Sequence, residues 1–142
     1  MRRNSKMPPG QEPPDIDPAA LARAEAAVAG LSERYLSWAA ADLVRLEDCL
    51  APMLSRPEEW SERLGPLFAI VHDMKGQGAT FDYPLVSELG RRLCRLLESS
   101  PDPTAKDRER VAGLAAAMGR VIRERLAGDG GEEGRRLLAD CL

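Results

Sequence analysis

The sequence predicts an all-α protein, an antiparallel up-down four-helix bundle with an additional or extended N-terminal helix. Three observations carry that expectation. Apolar residues recur at alternating spacings of three and four, which places them on one face of a helix. Aromatics make up only 4% of the 142 residues. The core must therefore be aliphatic, which suits packed helices better than sheets built on β-branched and aromatic side chains. No stretch alternates apolar and polar residues in the manner of a strand, and no internal repeat is present.

The elements follow in chain order. Residues 1–16 hold Pro8, Pro9, Pro13 and Pro14 among polar residues and read as a disordered leader. Asp17-Pro18 supplies an N-cap and a proline at the first helical position. Leu21, Ala24, Val28, Leu31, Tyr35 and Trp38 then form an amphipathic seam, weakened locally by Gly30. Beyond Trp38 the apolar phase slips by one residue, to Ala39, Leu43, Leu46, Leu50 and Leu54. Two accounts fit that slip: a break near Asp42, or a long helix that changes the face it presents.

Ser55 to Pro57 reads as a turn, with Glu58 and Glu59 suited to a first helical turn. Gly65-Pro66 predicts that a short helix ends near Leu64 and another begins at Pro66, running to about Phe81. Asp82-Tyr83-Pro84 is a tight connection with proline again at a helix start. Leu85, Leu89, Leu93 and Leu96 stripe the next helix, with Glu88, Arg91, Arg92, Arg95 and Glu98 on its outer side. Ser99 to Pro103 stops it. Thr104 and Asp107 make a capping box for a last long helix, striped by Val111, Leu114, Met118, Val121 and Arg125 and widened by Ile122 and Leu126. The organisation expected is a leader over 1–16, a helical bundle over 17–127 and a flexible tail over 128–142, in which Leu137-Leu138 is the one stretch able to dock.

The net charge of −3, with acids interleaved among the arginines, argues against a nucleic-acid partner, which would want a clustered basic surface. No apolar run approaches the roughly 20 residues that span a bilayer. The N-terminal arginines have no hydrophobic segment behind them, so no secretory signal is expected. Cys49, Cys94 and Cys141 are odd in number and far apart, which suits a reducing cytoplasm and forms neither a disulfide framework nor a metal motif. A small bundle of this kind is expected to be monomeric.

One stretch carries chemistry. The only histidine, His72, sits in Phe68-Ala69-Ile70-Val71-His72-Asp73-Met74-Lys75-Gly76-Gln77-Gly78-Ala79-Thr80-Phe81. At 100° per residue, Leu67, Ile70, Met74 and Phe81 gather on one side of the helix. His72, Ala69, Gly76 and Ala79 gather on the other, flanked by Phe68 and Lys75. The imidazole is therefore predicted to point away from the core. Gly76 and Gly78 each cost about 1 kcal/mol inside a helix relative to alanine, which suggests that something approaches the backbone closely there. Lys75, one of only three lysines, stands one turn from the ring, where a phosphoryl group on His72 would carry two negative charges. A neutral imidazole is a nucleophile without a separate base. A phosphorylated one is a good leaving group for onward transfer to a carboxylate. Gly76 and Ala79 leave clearance for an incoming domain, and Phe68 offers that domain an apolar anchor.

The run His72-Asp73-Met74-Lys75-Gly76, followed by small residues and then Leu85 and Leu89 to Glu98, resembles the histidine-containing phosphotransfer (HPt) domain family. That family's motif is His-x-Leu-Lys-Gly on the second helix of a four-helix bundle. The likeness covers roughly 31–126, and only the part around His72 is specific. It implies that His72 exchanges phosphate with an aspartate on a receiver domain of a response regulator or hybrid histidine kinase. It also implies that Lys75 supports the phosphate and Gly76 admits the partner. It further implies a phosphocarrier without autokinase activity, with no cofactor of its own, the magnesium of transfer being held by the receiver. Met74 stands in place of the usual leucine, with similar volume. Asp82 stands where many members have glycine; aspartate tolerates the left-handed conformation better than most residues.

Other features read as structural. Asp73 diverges from His72 by 100° and has no second ligand nearby, so no metal site is expected. Trp38 and Trp60 are expected to be core or packing residues, and Cys94 a small buried side chain. The rival reading is a helical adaptor that binds a signalling partner through the same face without carrying phosphate. A third is the phosphoacceptor module of a chemotaxis-type kinase, split from its ATP-binding part.

Overall fold

The computed structural model describes residues 17–141, and every regular element among them is helical. Five α-helices occur: α1 Pro18–Ser55, α2 Trp60–Thr80, α3 Pro84–Ser99, α4 Ala105–Arg123 and α5 Gly131–Asp140. A 3-10 turn at Pro57–Glu59 joins α1 to α2. The leader expected over 1–16 lies outside the described residues. No described helix is long and apolar enough to cross a membrane.

The helix does not break near Asp42. α1 runs unbroken for 38 residues, because nothing between Leu31 and Ala51 disfavours a helix and Ala39-Ala40-Ala41 favours one. The phase slip is a change of face. Tyr35, Leu36, Ala39, Leu43, Leu46, Leu50 and Met53 are buried, whereas Trp38 is 50% exposed and Val44 54%. Of the two expectations for Trp38, packing holds and core does not: the slip turns it out of the buried face, and its ring meets Phe81 edge-on, with centroids 6.1 Å apart. By chain contacts the molecule divides between Ser32 and Glu33 into two units. In the first, Leu21, Val28 and Leu31 are exposed.

Gly65-Pro66 does not divide α2 either. Pro66 lies inside one helix that starts at Trp60. The proline removes one backbone hydrogen bond, but it sits on the exposed side, where water can serve the freed carbonyl. Trp60 and Leu67, seven residues apart on one face, are both buried and hold the two halves in line. The Trp60 indole Nε1–H donates to the Ser100 carbonyl at 3.1 Å, tying the start of α2 to the end of α3.

Asp82 takes the left-handed conformation at φ 67 and closes the α2–α3 connection. α3 then begins at Pro84, and Leu85, Leu89, Leu93 and Leu96 are buried as their spacing requires. Thr104 and Asp107 form the reciprocal capping box of α4. Val111, Leu114, Met118, Val121 and Ile122 enter the core. Arg125 does not continue that stripe. It lies beyond the helix end at φ 55 and forms a two-toothed ion pair with Glu33, Nη1 at 2.5 Å and Nη2 at 3.1 Å.

The stretch after Gly128 is not a featureless tail. α5 inserts Leu137 into the core, 6% exposed, and its Leu138 carbonyl accepts from Arg92 Nη1 at 2.9 Å. Arg120 of α4 pairs with Glu133 of α5. The glycines of 128–134 weaken the helical signal in sequence, but Leu137 and the arginine contacts supply what propensity lacks.

Candidate functional site

α2 buries Leu67, Val71, Met74 and Gly78, and this sets the azimuth of every other residue on the helix. His72 lies across from that face and is exposed, with Ala69, Gly76 and Ala79 exposed along the same crest. Ile70 and Phe81 are only half buried, and Val71, absent from the expected inner face, is fully buried. Phe68 is half buried, packs against the core, and stacks on the imidazole with ring centroids 6.0 Å apart and planes 23° apart. It therefore presents an apolar edge beside the ring and restrains the ring's orientation.

Two different flanks run beside the crest. On one side Asp73 and Gln77 lean toward α1, where with Trp38, Ala41, Asp42 and Arg45 they line a shallow cleft. On the other side Lys75, half buried, leans on α3. A Cβ placed on Gly90 would stand 3.0 Å from the Lys75 Cβ, so the lysine stem lies directly against the α3 backbone. The Ser87 hydroxyl donates to the Lys75 carbonyl at 2.5 Å. Among the described residues Lys75 makes no ion pair. Glu88, the nearest acid along α3 to Ser87, is engaged by Arg91 and Arg92, each at 2.7 Å. Those contacts, the Arg91 hydrogen bond first among them, hold its carboxyl below the ordinary range.

The two glycines of the motif have different reasons. A Cβ on Gly76 would meet nothing within 4 Å, so no internal packing calls for glycine there. A Cβ on Gly78 would stand 2.8 Å from the Tyr83 carbonyl oxygen and 3.0 Å from the Val86 Cβ. Gly78 is thus explained by the close packing of α2 on the start of α3, which is the close approach to the backbone expected there; Gly76 has no such neighbour. Ser87 and Gly90 were not singled out from sequence. Gly90, a glycine in mid-helix beside a leucine stripe, carried a signal; Ser87 carried none.

Cys94 is buried at 5% exposure, and burial pushes its thiol pKa up. Among the described residues no three His, Cys, Asp or Glu side chains gather as a metal site would require. The site thus offers a solvent-facing imidazole, a stacked phenyl edge, an uncommitted ammonium and a bare stretch of helix backbone. Comparisons with protein-family models, with curated proteins and with solved structures find no match to this chain.

Proposed function

We propose that this chain is a histidine phosphocarrier of the HPt kind, with α1 to α4 as its antiparallel four-helix bundle and α5 an addition to it. A ring nitrogen of His72 attacks the phosphorus of an aspartyl phosphate on a receiver domain. The N–P bond forms as the P–O bond breaks, and its electron pair stays on the departing carboxylate. The same step run backwards hands the phosphoryl group to a second receiver. Lys75 offsets the charge gathered on His72, and Gly76 and Ala79 let the receiver's aspartate come into line. Magnesium belongs to the receiver. The partners are a response regulator's receiver domain, a hybrid histidine kinase, or both. The chain works in the cytoplasm as a monomer, with no enzymatic activity of its own.

The observation that carries this reading is Gly76. It stands exposed one turn from an exposed histidine, with free space where its Cβ would be. A helix that keeps about 1 kcal/mol of avoidable propensity cost at such a position, without internal packing to explain it, fits a surface shaped for an incoming partner. The test is incubation of the full chain with a phosphorylated receiver domain. An acid-labile, alkali-stable label on the wild type that is absent from His72→Gln is expected. A label that survives His72→Gln rejects the assignment. Receiver binding that is unchanged in that variant, with no label on the wild type, would mean an adaptor that uses the same face.

A further inference from the structure

We propose that Ser87 and Gly90 of α3 are positioning residues that deliver the Lys75 ammonium to the phosphoryl group on His72. The proposal rests on the phosphocarrier reading. α2 and α3 run antiparallel, and the closest approaches on one register are Gly78 to Ser87 and Lys75 to Gly90. Ser87 bridges those two contacts. Its hydroxyl oxygen stands 3.1 Å from where a Gly78 Cβ would lie and donates to the Lys75 carbonyl at 2.5 Å. This fixes the rotation of α2 about its own axis at the turn from which Lys75 departs. Gly90, lacking a side chain, lets the lysine stem lie flat on α3 instead of splaying into solvent.

The direction of that stem follows from the same register. One turn onward from Gly90 along α3 is Cys94, and in an antiparallel pair this is one turn back along α2, level with Val71 and His72. Helical side chains lean toward the N-terminus of their helix. That lean carries the Lys75 stem from Gly90 back toward the turn that holds His72. With its Cβ and Cγ laid against Gly90, the root of the lysine side chain has less freedom to lose when an anion arrives, which strengthens its contribution to a charged product.

The test uses potassium phosphoramidate as the phosphoryl donor, with the full chain, so that no receiver surface enters the measurement. A ring nitrogen of His72 attacks the phosphorus, the donor P–N bond breaks, and ammonia leaves with the bonding pair; the imidazole keeps its other N–H proton. Initial rates of phosphohistidine formation are compared for wild type, Ser87→Ala, Ser87→Thr, Gly90→Ala, Lys75→Met and the double variant Gly90→Ala with Lys75→Met, each shown to be helical and to melt cooperatively. Lys75→Met is expected to slow labelling on the order of tenfold. Gly90→Ala and Ser87→Ala are expected to slow it several-fold. Ser87→Thr, which keeps the hydroxyl, should restore most of the rate. The double variant should be no slower than Lys75→Met alone, since residues acting through one group are not additive. Folded Gly90→Ala and Ser87→Ala proteins that label at the wild-type rate, or a double variant whose losses multiply, overturn the positioning role alone. A wild type that takes no label on His72 from phosphoramidate or from a phosphorylated receiver overturns the phosphocarrier reading, and this proposal with it.

Discussion

The paired substitutions Gly76→Ala and Gly78→Ala put the packing argument at its sharpest, because the two sites are two residues apart on one helix. Each exchange removes a glycine from a helix interior, which by itself stabilises by about 0.8 kcal/mol. At Gly76 the new methyl meets nothing within 4 Å, so that gain should appear nearly whole. At Gly78 the methyl would come to 2.8 Å from the Tyr83 carbonyl oxygen, 3.0 Å from the Val86 Cβ and 3.1 Å from the Ser87 Oγ. The first two are backbone and the root of a branched side chain, neither of which can swing aside. The Tyr83 amide that donates to the Gly78 carbonyl at 2.8 Å would be displaced with them. Overpacking of this kind costs about 1–3 kcal/mol, leaving Gly78→Ala destabilised by up to about 2 kcal/mol after the propensity gain of about 0.8 kcal/mol. The variants should therefore straddle the wild type and differ by about 1–3 kcal/mol, roughly 3–10 °C in melting temperature for a chain of this size. Urea denaturation followed by far-UV circular dichroism measures both. Equal shifts of the same sign would refute the claim that Gly78 is held by α3 and Gly76 by nothing inside the protein. A larger residue in the same open space, Gly76→Leu, should keep the fold while slowing transfer from a receiver far more than labelling by phosphoramidate.

Two further outcomes follow from the core. Tyr35 is 1% exposed, its hydroxyl has no hydrogen-bond partner among the described residues, and burial pushes its pKa up to about 12. Its neutral form is therefore favoured by folding. That stability is complete below the ordinary tyrosine pKa of 10 and is lost as pH rises through about 12. Tyr35→Phe should be neutral or slightly stabilising near neutral pH; it should also flatten the loss of stability between those two values, and a steep alkaline loss that persists in the variant would assign it to other groups. Leu137→Ala should destabilise by about 2–3 kcal/mol, since α5 would leave a cavity where Leu137 is now buried. Denaturation midpoints indistinguishable from wild type would mean that α5 adds nothing to the fold.

The boundaries written in local chemistry were legible in the sequence. Pro84 at a helix start, Asp82 in a left-handed turn and the Thr104–Asp107 box each depend on a residue and its immediate neighbours. So was the outward azimuth of His72, because the helical period alone puts it across from Leu67 and Met74. What periodicity could not decide was where burial on two sides outweighs a local penalty. Pro66 breaks a helix by its own chemistry, yet Trp60 and Leu67 pack on either side of it and α2 continues. The Ala39 phase slip reads equally as a break or a turn of face until the core settles it, and Trp38, in phase with the earlier seam, ends up exposed. Gly76 and Gly78 look alike in the sequence. Only the approach of Tyr83 and Val86 to one and of nothing to the other separates a glycine the fold requires from one it merely tolerates. The seating of Lys75 on Gly90 and Ser87 belongs to the same class: it joins residues 12 and 15 positions apart across two helices, and no pattern local to either helix encodes the distance between them.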